Sequence, residues 1–195
     1  VVTGVQTCAL PISYPAAMRV KSLAAQAGVV LRWQPFLLGP IFADQGWSDT
    51  PFNLHPAKGR YMQRDLERLC AKYGLRYRRP SQSPRRSTLA ARVACCHLGA
   101  TWLPAFSRAV FEANFADDRD IGESSVLAEC LDRLGLAGDA LLAEAEAPRH
   151  RPLLRAQVER ARHLGLFGAP DFVVDGEVFW GNDRLEDALD WARRG

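Results

Sequence analysis

No Cys-x-x-Cys pair occurs anywhere in this chain, and its five cysteines, Cys8, Cys70, Cys95, Cys96 and Cys130, also lack the spacing of a zinc site. A dithiol redox centre and a structural zinc are therefore not written in the sequence. Its four histidines, His55, His97, His150 and His163, are scattered without acidic partners, and none reads as a metal ligand. No apolar run is long enough to cross a bilayer, and the first residues lack the charged start of a secretory signal, so a cytoplasmic protein without a membrane partner is expected. Charge of one sign is also missing. The net charge is +3, and the arginines alternate with Asp and Glu along helical stretches, which gives no basis for nucleic-acid binding. No internal repeat is present. The 195 residues, 48% of them hydrophobic, are sufficient for one substantial core or two small coupled ones.

The most informative residues lie near the C-terminus. Asp175-Gly176 separates two short runs of β-branched and aromatic residues, 172–174 and 177–180, as a two-residue hairpin turn requires. After Gly181, Asn182 or Asp183 is placed to cap a helix whose Leu185, Ala188, Leu189 and Ala192 recur along one face. Upstream, 15–27 reads as a helix stopped by Gly28, and 29–36 as a strand with Pro35 at its end. Residues 51–56 read as a turn-rich loop, and helices are expected over 58–73, 92–98, 104–115, 124–134, 138–147 and 152–166. Cys95 and Cys96 fall in a helical run, where small buried side chains explain them better than redox chemistry does.

The strings Phe167-Gly168-Ala169-Pro170 and Trp180-Gly181-Asn182-Asp183-Arg184-Leu185 resemble the 2-hydroxychromene-2-carboxylate isomerases and kappa-class glutathione transferases, relatives of the Dsb-type oxidoreductases. The resemblance implies an α/β, thioredoxin-like fold interrupted by an all-helical insertion subdomain. Residues 14–40 and 151–195 would form the thioredoxin-like domain and 41–150 the insertion. It implies glutathione as cofactor, bound in the cleft between the two parts. Pro170 would be cis and the Ala169 backbone would pair with the cysteinyl portion, while Asn182 and Asp183 hold the γ-glutamyl end. Asn53 would reach the glutathione backbone across the cleft; its plainer role is an Asx turn. Lys58 and Arg184 are the residues expected to meet a small aromatic carboxylate substrate, with Arg60 and Arg64 adding to a positive rim. Arg85-Arg86-Ser87 departs from the asparagine-containing string of close relatives. Relatives with this cleft are often dimers, so a homodimer is also an expectation.

Residues 1–13 resemble the translation of a sequencing-library adapter, which would put an artefact where the first strand belongs, although Val and Thr there are strand formers. In the resembled family that strand ends in a Ser-x-Tyr-Ser-Tyr motif, whose first serine holds the glutathione thiol as thiolate. Aligning Ser13-Tyr14 with the later Ser-Tyr puts Leu10 at the serine position. Ser13 is the nearby hydroxyl, a weak surrogate whose plainer role is a helix cap. The activity implied is reversible thiolate addition to a conjugated double bond, with isomerisation before elimination. Three alternatives stay open: a kappa-type transferase, a Dsb-type thiol-disulfide oxidoreductase, and a glutathione-binding protein without turnover.

Overall fold

A computed structural model describes residues 2–3 and 11–194. Four short strands form one sheet: β1 (Val2–Thr3), β2 (Leu31–Arg32), β3 (Asp171–Val174) and β4 (Glu177–Trp180). The order is β2-β1-β3-β4, with β1 parallel to β2 and antiparallel to β3, and β3 antiparallel to β4. Val2–Thr3 thus takes the inner sheet position expected of the first strand. Helix α1 (Ser13–Ala27) joins the parallel pair, and α10 (Leu185–Ala192) follows the hairpin, so a strand-helix-strand unit meets a hairpin-helix unit. This is the fold plan that the resemblance implies.

The hairpin turn has Asp175 and Gly176 at φ 49° and 88°, as a tight turn of matching twist needs. Strand β3 is buried without alternation, and apolar after Asp171, because both of its faces are covered. Phe172 and Val174 enter a core with α1, α10 and the helices of the middle of the chain, whereas Val173 joins a second cluster with Phe36, Ile41, Phe42 and Val158. Full burial of a side chain the size of Phe172 contributes about 2–3 kcal/mol.

Between β2 and β3 every described element is helical: α2 (Leu38–Asp44), α3 (Pro51–Leu54), α4 (Pro56–Lys72), α5 (Thr88–Cys96), α6 (Leu103–Phe115), α7 (Ser124–Asp132), α8 (Gly138–Glu146) and α9 (Arg151–His163). Helix α4 starts with Pro56 in its first turn, where a missing N–H is harmless, and buries Met62, Leu66 and Cys70 at helical spacing. Leu66 and Cys70 share the core that contains Tyr14, Phe172 and Leu185, so one continuous interior spans the sheet and the helical region.

Two sequence expectations need correction. Of the strand read over 29–36, Leu31–Arg32 forms β2; Pro35 has no N–H to give a ladder, and Phe36 packs into the second cluster. The loop read at 51–56 contains the short helix α3, with the Thr50 hydroxyl accepting a hydrogen bond from the Asn53 N–H at 3.3 Å. Elsewhere helix boundaries shift by a few residues, most at α5, which begins at Thr88.

Candidate functional site

The peptide bond between Ala169 and Pro170 is cis, immediately before β3. The Pro170 carbonyl accepts a hydrogen bond from the Gly181 N–H at 2.9 Å, tying this turn to the end of β4. The backbone N–H and C=O of Ala169 have no hydrogen-bond partner among the described residues. They lie on the wall of an open cleft of about 1010 Å³. An unpaired backbone edge beside a cleft is a template for an extended peptide, which can supply the missing partners.

One side of this cleft is formed by Gly168, Ala169 and the run from Trp180 to Arg184, and the other by Ala57, Lys58, Tyr61, Asp65 and Leu69 of α4. Aromatic rings dominate it. Trp180 is 51% exposed and lies against Phe167 with ring centroids 5.1 Å apart, while Phe42 and Trp47 pair at 5.3 Å. Sequence reasoning had not found Phe42, Trp47 and Tyr61; Tyr61, one helical turn after Lys58 and 66% exposed, is the position whose exposure could have flagged it. Gly168 is required where it stands, because a Cβ there would overlap the Trp180 indole.

Ala169, Asn182, Asp183, Lys58 and Arg184 all line this one cleft. Pro170 fixes its wall from behind. Asn182 is buried, and its Oδ1 accepts a hydrogen bond from Arg19 Nη1 at 3.2 Å, which leaves the amide NH₂ as the donor end. Arg19 also pairs with Glu186 and lies 3.7 Å from the Tyr73 ring centroid. Neither Asn182 nor Asp183 caps α10, contrary to the sequence reading. A single 3₁₀ turn precedes that helix without a side-chain cap bond; Arg19 takes the Asn182 oxygen and Asp183 pairs with Arg184 at 3.2 Å. Arg184 is further bound by Asp187 at 2.7 Å, while Lys58 has no ion-pair partner among the described residues.

Asn53 lies in an adjoining cleft, on the other side of α4, where its amide donates to both Asp49 carboxylate oxygens at 3.1 and 3.0 Å. Its Asx-turn role before the helix at Lys58 is not seen either: α4 starts without a side-chain cap bond, and the Asn53 side chain turns to Asp49. Ser13 is fully buried and its Oγ has no hydrogen-bond partner among the described residues. It does not cap α1, whose N-cap position is Ile12, and it is not among the lining residues of either cleft. Leu10, the residue at the expected serine position, lies outside the described residues, as does Cys8.

The described thiols are poorly suited to attack. Burial pushes Cys70 up to about 11 and Cys95 to about 12, the latter helped by Cys96, and burial likewise raises Cys96 and Cys130. Arg85 serves the framework: it is buried and donates to Asn114 Oδ1 at 3.0 Å, the Arg119 carbonyl at 2.8 Å and Asp118 Oδ1 at 2.5 Å. Asp171, directly after the cis proline, has no exposed surface and no hydrogen-bond partner for either oxygen among the described residues, and burial pushes its carboxyl up to about 7. No helix among the described residues is long and apolar enough to cross a membrane, and no group of metal-binding side chains occurs among them.

Residues 9–190 match the profile of the DSBA-like thioredoxin domain. The chain is 29% identical over 180 residues to the 2-hydroxychromene-2-carboxylate isomerase of Sphingobium xenophagum, covering 90% of this chain and 89% of that protein. A solved 2-hydroxychromene-2-carboxylate isomerase superposes with a TM-score of 0.86 at 23% identity, over 99% of this chain and 94% of that one. The cytosolic disulfide reductase DsbM from Pseudomonas aeruginosa, solved with GSH, gives 0.65 at 19% identity, over 98% and 95%. At such identities the likeness to the solved structures concerns the fold.

Proposed function

The chain belongs to the DSBA-like thioredoxin domain family, and from that premise we propose that it is a glutathione-dependent isomerase of a 2-hydroxychromene-2-carboxylate or related aromatic 2-oxo acid, acting in cytoplasmic breakdown of aromatic compounds. The observation that carries this reading is the unpartnered backbone of Ala169 at the cis proline, facing a cleft that also holds the Asn182 amide and the Lys58 ammonium. These groups fit a tripeptide. The Ala169 N–H and C=O pair with the backbone of its central residue, Asn182 and Asp183 meet the zwitterionic γ-glutamyl end, and Lys58 faces a carboxylate. Glutathione, when bound, supplies a thiolate that adds reversibly to the substrate double bond and leaves again after rotation about the resulting single bond.

The chain's own contribution is orientation. Arg19 keeps the Asn182 NH₂ turned to the ligand, and Phe167, Trp180 and Tyr61 give the cleft apolar walls. The buried, high-pKa thiols support glutathione over a protein cysteine as the nucleophile. The test is a spectrophotometric isomerisation assay on 2-hydroxychromene-2-carboxylate with and without glutathione. Turnover only with glutathione is expected; turnover without it, or reduction of a disulfide substrate at a faster rate, would overturn the reading. Calorimetry that finds glutathione bound and no turnover would favour the binding-protein alternative, for which Leu10 at the serine position is the specific observation.

Gly168 gives a sharper check on where the ligand sits. Gly168→Ala is expected to displace the Trp180 indole, weakening glutathione binding about tenfold while destabilising the fold by about 1–3 kcal/mol. Tryptophan emission and a glutathione titration read both effects, and unchanged affinity with a shifted emission would place the ligand elsewhere.

A further inference from the structure

Helix α4 divides two clefts. The first, described above, carries Lys58 and Arg184 against Asp65 and Asp183, so its charges balance. The second, of about 780 Å³, is lined by Arg60 and Arg64 from α4 and by Arg79 from the segment before α5, against the single carboxylate of Glu67. Glu67 is bound to Arg64 at 2.6 Å. Arg60 and Arg79, from two different elements, have no ion-pair partner among the described residues. The two clefts meet at Phe52 and Met62, which line both, and at the start of α1, where Pro11 faces the second and Ile12 the first.

We infer that the second cleft is an anion subsite in which Arg60 and Arg79 bind the carboxylate of a small planar substrate, across α4 from the glutathione site. A cleft with three guanidinium groups against one carboxylate, two of them without an ion-pair partner among the described residues, suits an acid. Arginine presents paired N–H donors that match a carboxylate. With the acid anchored there, the conjugated part of the molecule reaches over Phe52 and Met62 toward the start of α1, where the two clefts meet. The assignment rests on the isomerase reading for the role of the bound acid. It moves substrate-carboxylate recognition from Lys58 and Arg184 to Arg60 and Arg79.

The probes are cinnamate and its neutral counterpart cinnamamide, titrated by calorimetry into the full chain without glutathione, and glutathione itself in a separate titration. The wild-type protein is expected to bind cinnamate about tenfold more tightly than cinnamamide, and Arg60→Gln combined with Arg79→Gln to abolish that preference, with glutathione affinity unchanged. Lys58→Gln is expected to act the other way, weakening glutathione and sparing cinnamate. Both arginines are exposed, so the double variant should retain the wild-type melting curve. Equal affinity for the two probes in the wild-type chain, or a cinnamate preference that survives the double variant and falls with Lys58→Gln, overturns the assignment. Failure of glutathione to bind in its own titration overturns the isomerase reading instead and leaves the cinnamate comparison standing.

Discussion

Asp171→Asn is expected to remove most of the pH dependence of this protein's stability above about pH 4. The carboxyl is sealed in the interior with no hydrogen-bond partner among the described residues, and burial pushes it up to about 7. In the unfolded chain the same group titrates near ~3.9. Between these values the native protein holds a proton that the unfolded chain has released, so stability falls as pH rises through this window. Three units of separation correspond to about 4 kcal/mol. Asparagine keeps the shape and cannot ionise. The variant's advantage over wild type should therefore be near zero below about pH 4 and grow to about 4 kcal/mol above pH 7. Urea unfolding of both proteins across this range measures it. Parallel stability curves would show that Asp171 is ionised in the folded protein.

The second large effect concerns Leu10. The isomerase reading needs a donor that stabilises the glutathione thiolate, and leucine has none. Leu10→Ser is expected to raise the isomerisation rate by about 100-fold, the size of effect seen when one donor to a developing anion is gained or lost. A hydrogen bond to the charged form lowers a thiol pKa, so the bound thiol should ionise at a lower pH in the variant. Thiolate absorbance of the glutathione complex, followed against pH, reads this independently of turnover. Ser13→Ala is the companion variant. Its Oγ is buried and has no hydrogen-bond partner among the described residues, so the alanine protein should match wild type in rate and thiol pKa. A loss of activity with Ser13→Ala, together with no gain from Leu10→Ser, would assign the donor role to Ser13.

Features written in short stretches of sequence were legible, and features made by distant residues were not. The hairpin could be read because Asp175-Gly176 sets a turn geometry that the flanking β-branched and aromatic runs extend. The cis proline and the grouping of Ala169, Asn182, Asp183 and Arg184 along one cleft followed from two strings that carry the family resemblance, and Lys58 joined them from the charged start of α4. The cap at Asn182 failed because its oxygen is taken by Arg19, a residue 163 positions away. The framework role of Arg85 was hidden for the same reason: its partners Asn114, Asp118 and Arg119 approach only after α6 has packed. The strand at 29–36 was read too long because its apolar residues do enter a core, but Pro35 removes a ladder donor. Apolar periodicity reports burial and does not by itself report pairing.

The shared interior has a mechanical consequence. Leu66 and Cys70 hold one face of α4 in the same packed cluster as Tyr14, Phe172 and Leu185, while Tyr61, Asp65 and Leu69 of the same helix border the cleft. Swinging α4 away from the sheet would tear that cluster open. Among the described residues the wall that α4 gives the cleft is thus held by the interior behind it, and a ligand there would meet a shape set before it arrives.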